Sequence, residues 1–437
     1  NLFVGAGGVF NENGSINTDN AVGFSTSSAN LSIAVATVAD ASATDTRRWT
    51  GIAASASVMS AVGLPSDFTV EVKDLKVRSN SVSGALDSIA ATFIDWSSLF
   101  AATTNPLNGL SGSTSLVVSG LVRLNLGGYV LAAGAFTLGR STQSGVVLGD
   151  NGTVSIDLLT IDLTGVNLFV GVGATLAADS SIITTSATGF LATSAGLSVA
   201  MAKSTLANDT RRWTGIAASA ASMSVVGLPT EFTVEVKNLS VKYNAAAGIS
   251  ASNTSATAIN WAPVIEGTTS PLEALLSGTL LVVSGVVRLN LGGYVLAGGS
   301  FVLNRGTASI GGASADLLTI DLTGVNLFVG VGASFSGEAS TLVTGNATGF
   351  LTTSANVSVA MAKSTAVNDT RRWTGTAASA ASMSVVGLPT DYTVEVKDLS
   401  VKYNTASGAA GGSNAVAINW ASVFTSGSSP IRSLASD

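Results

Sequence analysis

Hydrophobic and polar residues alternate along most of this chain. In VNLFVGVGASF, Val325, Leu327, Val329, Val331, Ala333 and Phe335 fall on one side of an extended backbone, and Asn326, Phe328, Gly330, Gly332 and Ser334 on the other. In ANVSVAMA, Ala355, Val357, Val359 and Met361 alternate with Asn356, Ser358 and Ala360; in VVRLNL, Val287, Leu289 and Leu291 alternate with Arg288 and Asn290. Side chains of a strand point alternately to its two faces, so this period predicts strands with one apolar face. The runs are long, and Gly127-Gly128 and Gly292-Gly293 stand where hairpin turns need positive φ, which favours antiparallel meanders. The expected fold is all-β: an elongated tandem-repeat array of long, mainly antiparallel strands, with a β-solenoid as the alternative. The Ala-rich TGIAASAASMSVV also reads as strand, because Ser and Val interleave with Ala and Gly-Leu-Pro stops it. A short helix is expected near Pro271, capped by Ser270.

Two recurrent slips interrupt the alternation. Phe232, Val234 and Val236 give way to Leu239, Val241 and Tyr243 at Lys237-Asn238; Leu318, Ile320 and Leu322 give way to Val325 and Leu327 at Thr323-Gly324. One extra residue is what a β-bulge inserts, and Asn or Gly suits its backbone; a short turn between two strands would produce the same reset.

Whole phrases recur. NLFVG starts at Asn1, Asn167 and Asn326, and the Arg-Arg-Trp triplet ends at Trp49, Trp213 and Trp373. The period is about 160 residues, which divides the chain into repeat units 1–166, 167–325 and 326–437, the first and last cut within a repeat. The segment therefore reads as part of a longer protein.

Composition narrows the chemistry. Charged residues make up 11% of the 437, against about 25% in an ordinary soluble domain. Histidine and cysteine are both absent, which removes imidazole bases, thiol nucleophiles and the usual zinc ligands. The net charge is −6 without a basic cluster, so nucleic acid is not an expected partner. No run of 18 apolar residues writes a membrane-spanning helix. Neither a catalytic signature nor a cofactor motif stands out, and the chain reads as a non-enzyme.

The most site-like feature is Asp-Thr-Arg-Arg-Trp: Asp45, Arg47, Arg48 and Trp49, then Asp209, Arg211, Arg212 and Trp213, then Asp369, Arg371, Arg372 and Trp373. An Arg fork beside an indole could hold a carboxylate, a sulfate or a sugar. The competing reading, which carries more weight, is a strand opening in which Trp anchors a core and Asp pairs an Arg. The recurrent acids Glu71, Glu235 and Glu395, with Asp162 and Asp321, read as residents of a solvated strand face. No calcium loop is written; Asp150-Asn151-Gly152 and Asn11-Glu12-Asn13-Gly14 read as turns, and no metal site is expected. The second face of ANVSVAMA and AASAASMSVV is Ser, Ala and Thr with almost no charge, which suits close approach of another copy.

The tandem units, with TGVNLFVGVGA, SGVVRLNLGGYVLAGGSF and the GLP-x-x-TVEV strand, resemble repeats of very large bacterial cell-surface proteins of the adhesin or hemagglutinin-like kind. The resemblance covers essentially the whole chain. It implies an extracellular or cell-surface location, multi-copy arrays, and a role in adhesion, sheaths or fibres. The expected function is a structural repeat protein that forms or decorates a filament, sheath or fibre by β-sheet stacking, with stalk repeats of an adhesin as the alternative. The expected partners are copies of the same chain, with cell-surface polysaccharide second.

Overall fold

The computed structural model describes the chain except residues 27, 40, 66–67, 102–103, 230, 266–269, 337–339, 390, 425–428 and 436–437. It is all-β. Packing divides the chain into two units: Asn1–Ala217 with Asn244–Ser277, and Ala218–Tyr243 with Gly278–Asp437. These boundaries differ from those of the sequence repeats.

In the first unit the strands are β1 (Leu2–Ala6), β2 (Val22–Thr26), β3 (Ala29–Thr37), β4 (Arg48–Val62), β5 (Phe68–Ser83), β6 (Thr114–Leu126), β7 (Val130–Val147), β8 (Thr153–Val172) and β9 (Thr188–Ser204). They pair as a meander, with β2 and β3 lying along successive stretches of β4. The boundary runs through β10 (Arg212–Val226) and β11 (Phe232–Ala247). The second unit continues with β12 (Leu281–Leu291), β13 (Val295–Ile310), β14 (Ala313–Val331), β15 (Thr348–Ser364), β16 (Arg372–Val386) and β17 (Val394–Ser407). Among the described residues, every strand pairing within either unit is antiparallel, which is the meander and not the solenoid.

The Gly-Gly turns explain the hairpins. Gly127 and Gly128 have φ of 61° and 74°, and Gly292 and Gly293 have 63° and 73°. Two consecutive positive φ values match the twist of a tight hairpin and cost an L-residue more than a glycine. An Asn in each strand accepts from the second glycine, Asn125 from the Gly128 amide and Asn290 from the Gly293 amide. The short helix near Pro271 is a 3-10 turn, Pro271–Ala274, whose Ser270 hydroxyl accepts from the Leu272 amide.

Both slips are bulges inside unbroken strands. The β11–β12 register shifts between Lys237 and Ser240, where Asn238 has φ of 51°. The β14–β15 register shifts after Leu322, where Gly324 has φ of 60°. A facing irregularity at Ser354, φ 50°, has no sequence signal of the same strength. Two side chains hold the pair: Asn356 accepts from the Gly324 amide and Asn326 from the Ser354 amide.

Each bulge keeps the apolar series on one face, but that face is the open one. Val234 is 41% exposed, and Val287, Leu291, Val329 and Met361 are likewise exposed. An apolar row crosses the seven strands β11 to β17 in register: Phe232, Leu291, Val295, Val329, Phe350, Val385 and Val394. The first unit repeats the row as Phe68, Leu126, Val130, Val170 and Phe190.

The opposite face is covered by the chain's own connections. The loop after β17 packs Trp420, Ile431 and Leu434 on Ala315, Ala360, Ala362 and Ala377. The loop after β11 does the same to Val154, Ile156, Ala200 and Ala217 through Ile259, Trp261 and Leu275, within the first unit. A two-strand hairpin, Ser334–Phe335 with Leu342–Val343, covers Leu296 and Phe328. This corrects two expectations. The Ser/Ala face is filled by these lids and is not free for another copy. Two of the recurrent acids do not sit on a solvated face: the Glu235 side chain is 15% exposed and pairs with Arg288 at 3.2 Å, and Glu71 pairs with Arg123 at 2.6 Å, whereas Glu395 of the third copy is exposed. Small side chains let a lid approach closely, and the lids decide which face is inside.

Deleting Asn238 should shift every side chain on one side of it to the wrong face and abolish cooperative urea unfolding. Asn238→Gly should fold normally. Asn238→Val, forced to positive φ, should lose about 1–3 kcal/mol in the same measurement.

Candidate functional site

The repeated block builds its most elaborate arrangement where the lid meets the sheet. In the second copy, Asp209 precedes β10 and accepts from the Arg211 amide at 3.0 Å and from the Arg211 guanidinium at 3.0 and 2.6 Å. The remaining guanidinium edge donates to the Asn151 carbonyl at 2.7 Å. The guanidinium lies 5.7 Å from the Trp213 ring centre, and the Trp213 indole donates to the Thr257 carbonyl at 3.0 Å. Asp209 and Arg211 are buried, and Trp213 is fully so. Arg212, the next residue, points away to the exposed face, as neighbouring strand residues must.

The third copy repeats this: Arg371 clamps Asp369 at 2.6 Å and lies 5.4 Å from the Trp373 ring, while Arg372 is exposed. In the first copy Asp45, Arg47 and Trp49 adopt the same geometry, less deeply buried. The two arginines of each copy therefore do not converge on one ligand. One guanidinium and the indole are consumed by partners within the chain, and the Trp ring offers no exposed stacking face in the second and third copies.

Asn151, read from the sequence as a turn residue, does form one (Gly149–Asn151), and it also fastens the lid. Its side-chain amide donates to the Thr257 carbonyl at 2.9 Å and its side-chain oxygen accepts from the Thr257 amide at 2.9 Å.

The central residues were missed by sequence reasoning. Asn244, at the end of the block, donates to the carbonyls of Ile259 at 2.8 Å and Leu276 at 3.0 Å, and accepts from the Trp261 indole at 3.1 Å. Asn80 does this with Ile94, Ser111 and Trp96, and Asn404 with Ile418, Ala435 and Trp420. The Trp lies flat on a glycine: a Cβ on Gly215 would stand 2.6 Å from the Trp261 ring, one on Gly51 2.8 Å from Trp96, and one on Gly375 2.5 Å from Trp420. The signal was present, since Ile-Asp-Trp or Ile-Asn-Trp recurs at Ile94, Ile259 and Ile418 with an Asn upstream each time. Without a partner in view, an Asn in a strand reads only as polar.

Electrostatics follow the same geometry. The Arg211 side chain holds the Asp209 carboxyl down at about 2, against 3.8 ordinarily; burial opposes this, and the Arg211 amide and Ser204 hydroxyl add to it. Asp369 is lowered by Arg371 in the same way. A cluster of paired, buried charges of this kind is suited to fixing a lid, and it presents no unpaired group to a substrate. No protein-family model matches the sequence, and a search of curated proteins finds no significant match.

Asn244→Ala would leave an indole donor and two carbonyls unsatisfied and should cost roughly 2–4 kcal/mol in urea unfolding, with Trp fluorescence shifted to the red. A folded-state pKa below the unfolded value stabilises fully above the unfolded one. The Asp209 contribution should thus be present above about pH 3.8 and fade as pH falls toward about 2. In Asp209→Asn that limb of the stability profile should flatten.

Proposed function

We propose that this chain is a structural, extracellular repeat protein that forms or decorates a cell-surface filament, sheath or fibre through stacking of its β-sheets. The observation that carries the reading is the repeated open row of apolar side chains, Phe232 to Val394 and Phe68 to Phe190, on sheets whose other face is already closed by lids. An uncovered apolar face of this extent is an association surface. The Asp209–Arg211 and Asp369–Arg371 pairs of the repeated block are spent on each other beside the lids, which fits a module made for assembly more than one made for chemistry. The resemblance of the ~160-residue units to repeats of bacterial surface proteins points to the same location and to array-like use.

The reading of these repeats as spacers of an adhesin stalk is favoured by a different observation: each lid is fastened within its own unit, so the modules need no partner to close their cores. Sedimentation velocity and electron microscopy across a concentration series separate the two. Filament or sheath formation predicts concentration-dependent growth into ordered assemblies. A chain that stays monomeric at every concentration would favour the stalk.

A further inference from the structure

We propose that the partner of the open face in the second unit is the same face of a second copy, laid against it with strands running in opposite directions. This deepens the association reading above and rests on it. The face has the makings of a sheet-on-sheet interface. Its side chains stand in register from strand to strand, so Phe232, Leu291, Val329, Phe350 and Val394 form one ridge. Val234, Leu289, Leu327, Met383 and Val396 belong to the next. Ridges of Val and Leu on one pleated sheet interdigitate with like ridges on another at about 10 Å.

Area and charge identify the occupant. The exposed apolar side chains of this face, from Phe232 and Val234 to Val401 and Tyr403, offer on the order of 1,000 Å², and a stable interface takes about 800 Å² from each partner. A partner must therefore bring an apolar, uncharged surface of matching extent, and this chain carries one. Charge on the face gathers at one end of the strands. Arg305 pairs with Asp316 at 2.8 Å, and Lys363 lies opposite Arg372 across β15 and β16. That end is net basic, so two copies aligned in the same direction would repel. Opposed strand directions overlap the apolar rows and carry the basic ends apart.

Because the natural chain has no cysteine, a single introduced one is a clean reporter. Val287→Cys sits on the open face, and Asn13→Cys on an exposed turn in the first unit. Maleimide labelling of the full chain is followed over a hundredfold range of protein concentration, with oligomeric state read by sedimentation. Expected is at least a tenfold slowing of labelling at Val287→Cys as association proceeds, with Asn13→Cys unchanged. In a second variant, Val234→Lys with Val396→Lys, association should need at least tenfold more protein while the strand signal in circular dichroism is kept. Association with full labelling at Val287→Cys would overturn the face assignment and leave the assembly reading standing. No association at any concentration would remove both. Protection at Val287→Cys only when vesicles of neutral phosphatidylcholine are added would make a lipid surface the occupant and overturn the second-copy assignment.

Discussion

The three-way hydrogen bonding of one asparagine holds each lid in place, and the rest of the module depends on it. Asn244 stands near the end of a long strand and joins Trp261 to two backbone carbonyls at the two ends of the lid. A buried amide with all three of these groups satisfied contributes more than packing alone, because any alternative seating would leave a donor or acceptor dry. The glycine beneath the indole sets the depth: Gly215 leaves no room for a methyl group. Together they convert a sheet face of Ala, Ser and Gly, too small to make a core alone, into a core built on two Trp, one from the strand and one from the lid, as Trp213 with Trp261 and Trp373 with Trp420.

That seating decides the polarity of the sheet. A strand with one apolar and one small-residue face reads, by pattern alone, as apolar inside. Here the lids attach to the small face because only small residues admit a Trp at contact distance. The Val, Leu and Phe series is left on the other side. Polar groups follow the lids inward, as Arg288 does by pairing with Glu235 while stacking 4.7 Å from the Phe335 ring of the hairpin. Inside and outside are thus fixed by where a loop 15 residues or so downstream returns, a long-range fact that period-two alternation does not encode.

Much of the local structure was legible for equally physical reasons. The slips at Lys237-Asn238 and Thr323-Gly324 marked bulges because the side-chain period of a strand is strict, and Asn238 and Gly324 do adopt positive φ. The Gly-Gly pairs marked hairpins, and the Ala-rich stretch of β10 is strand as its interleaved Ser and Val required. Asp209, Arg211, Arg212 and Trp213 were legible as a group but not as a geometry. Arg211 turns into the buried pair with Asp209, and Arg212 to the exposed face, because the strand begins between them. The bulge at Ser354 was hidden because a serine at positive φ carries no compositional mark; what permits it is Asn326 on the neighbouring strand.

The repeat itself explains why a face like this can be kept open without disorder. In a compact single domain an uncovered row from Phe232 to Val394 would be matched by collapse onto some other part of the chain. Here strands β12 to β16 are tied in register by antiparallel pairing on both sides, and the face opposite is closed by lids seated through Trp261 and Trp420. Neither lid nor strand is free to fold over the open face. On the proposed reading its apolar surface is removed from water by something outside the unit, and the free energy of doing so grows with each repeat that presents the same row. A module that is internally satisfied on one face and externally unsatisfied on the other gains most from assembly when it is copied in series, which is how this chain is written.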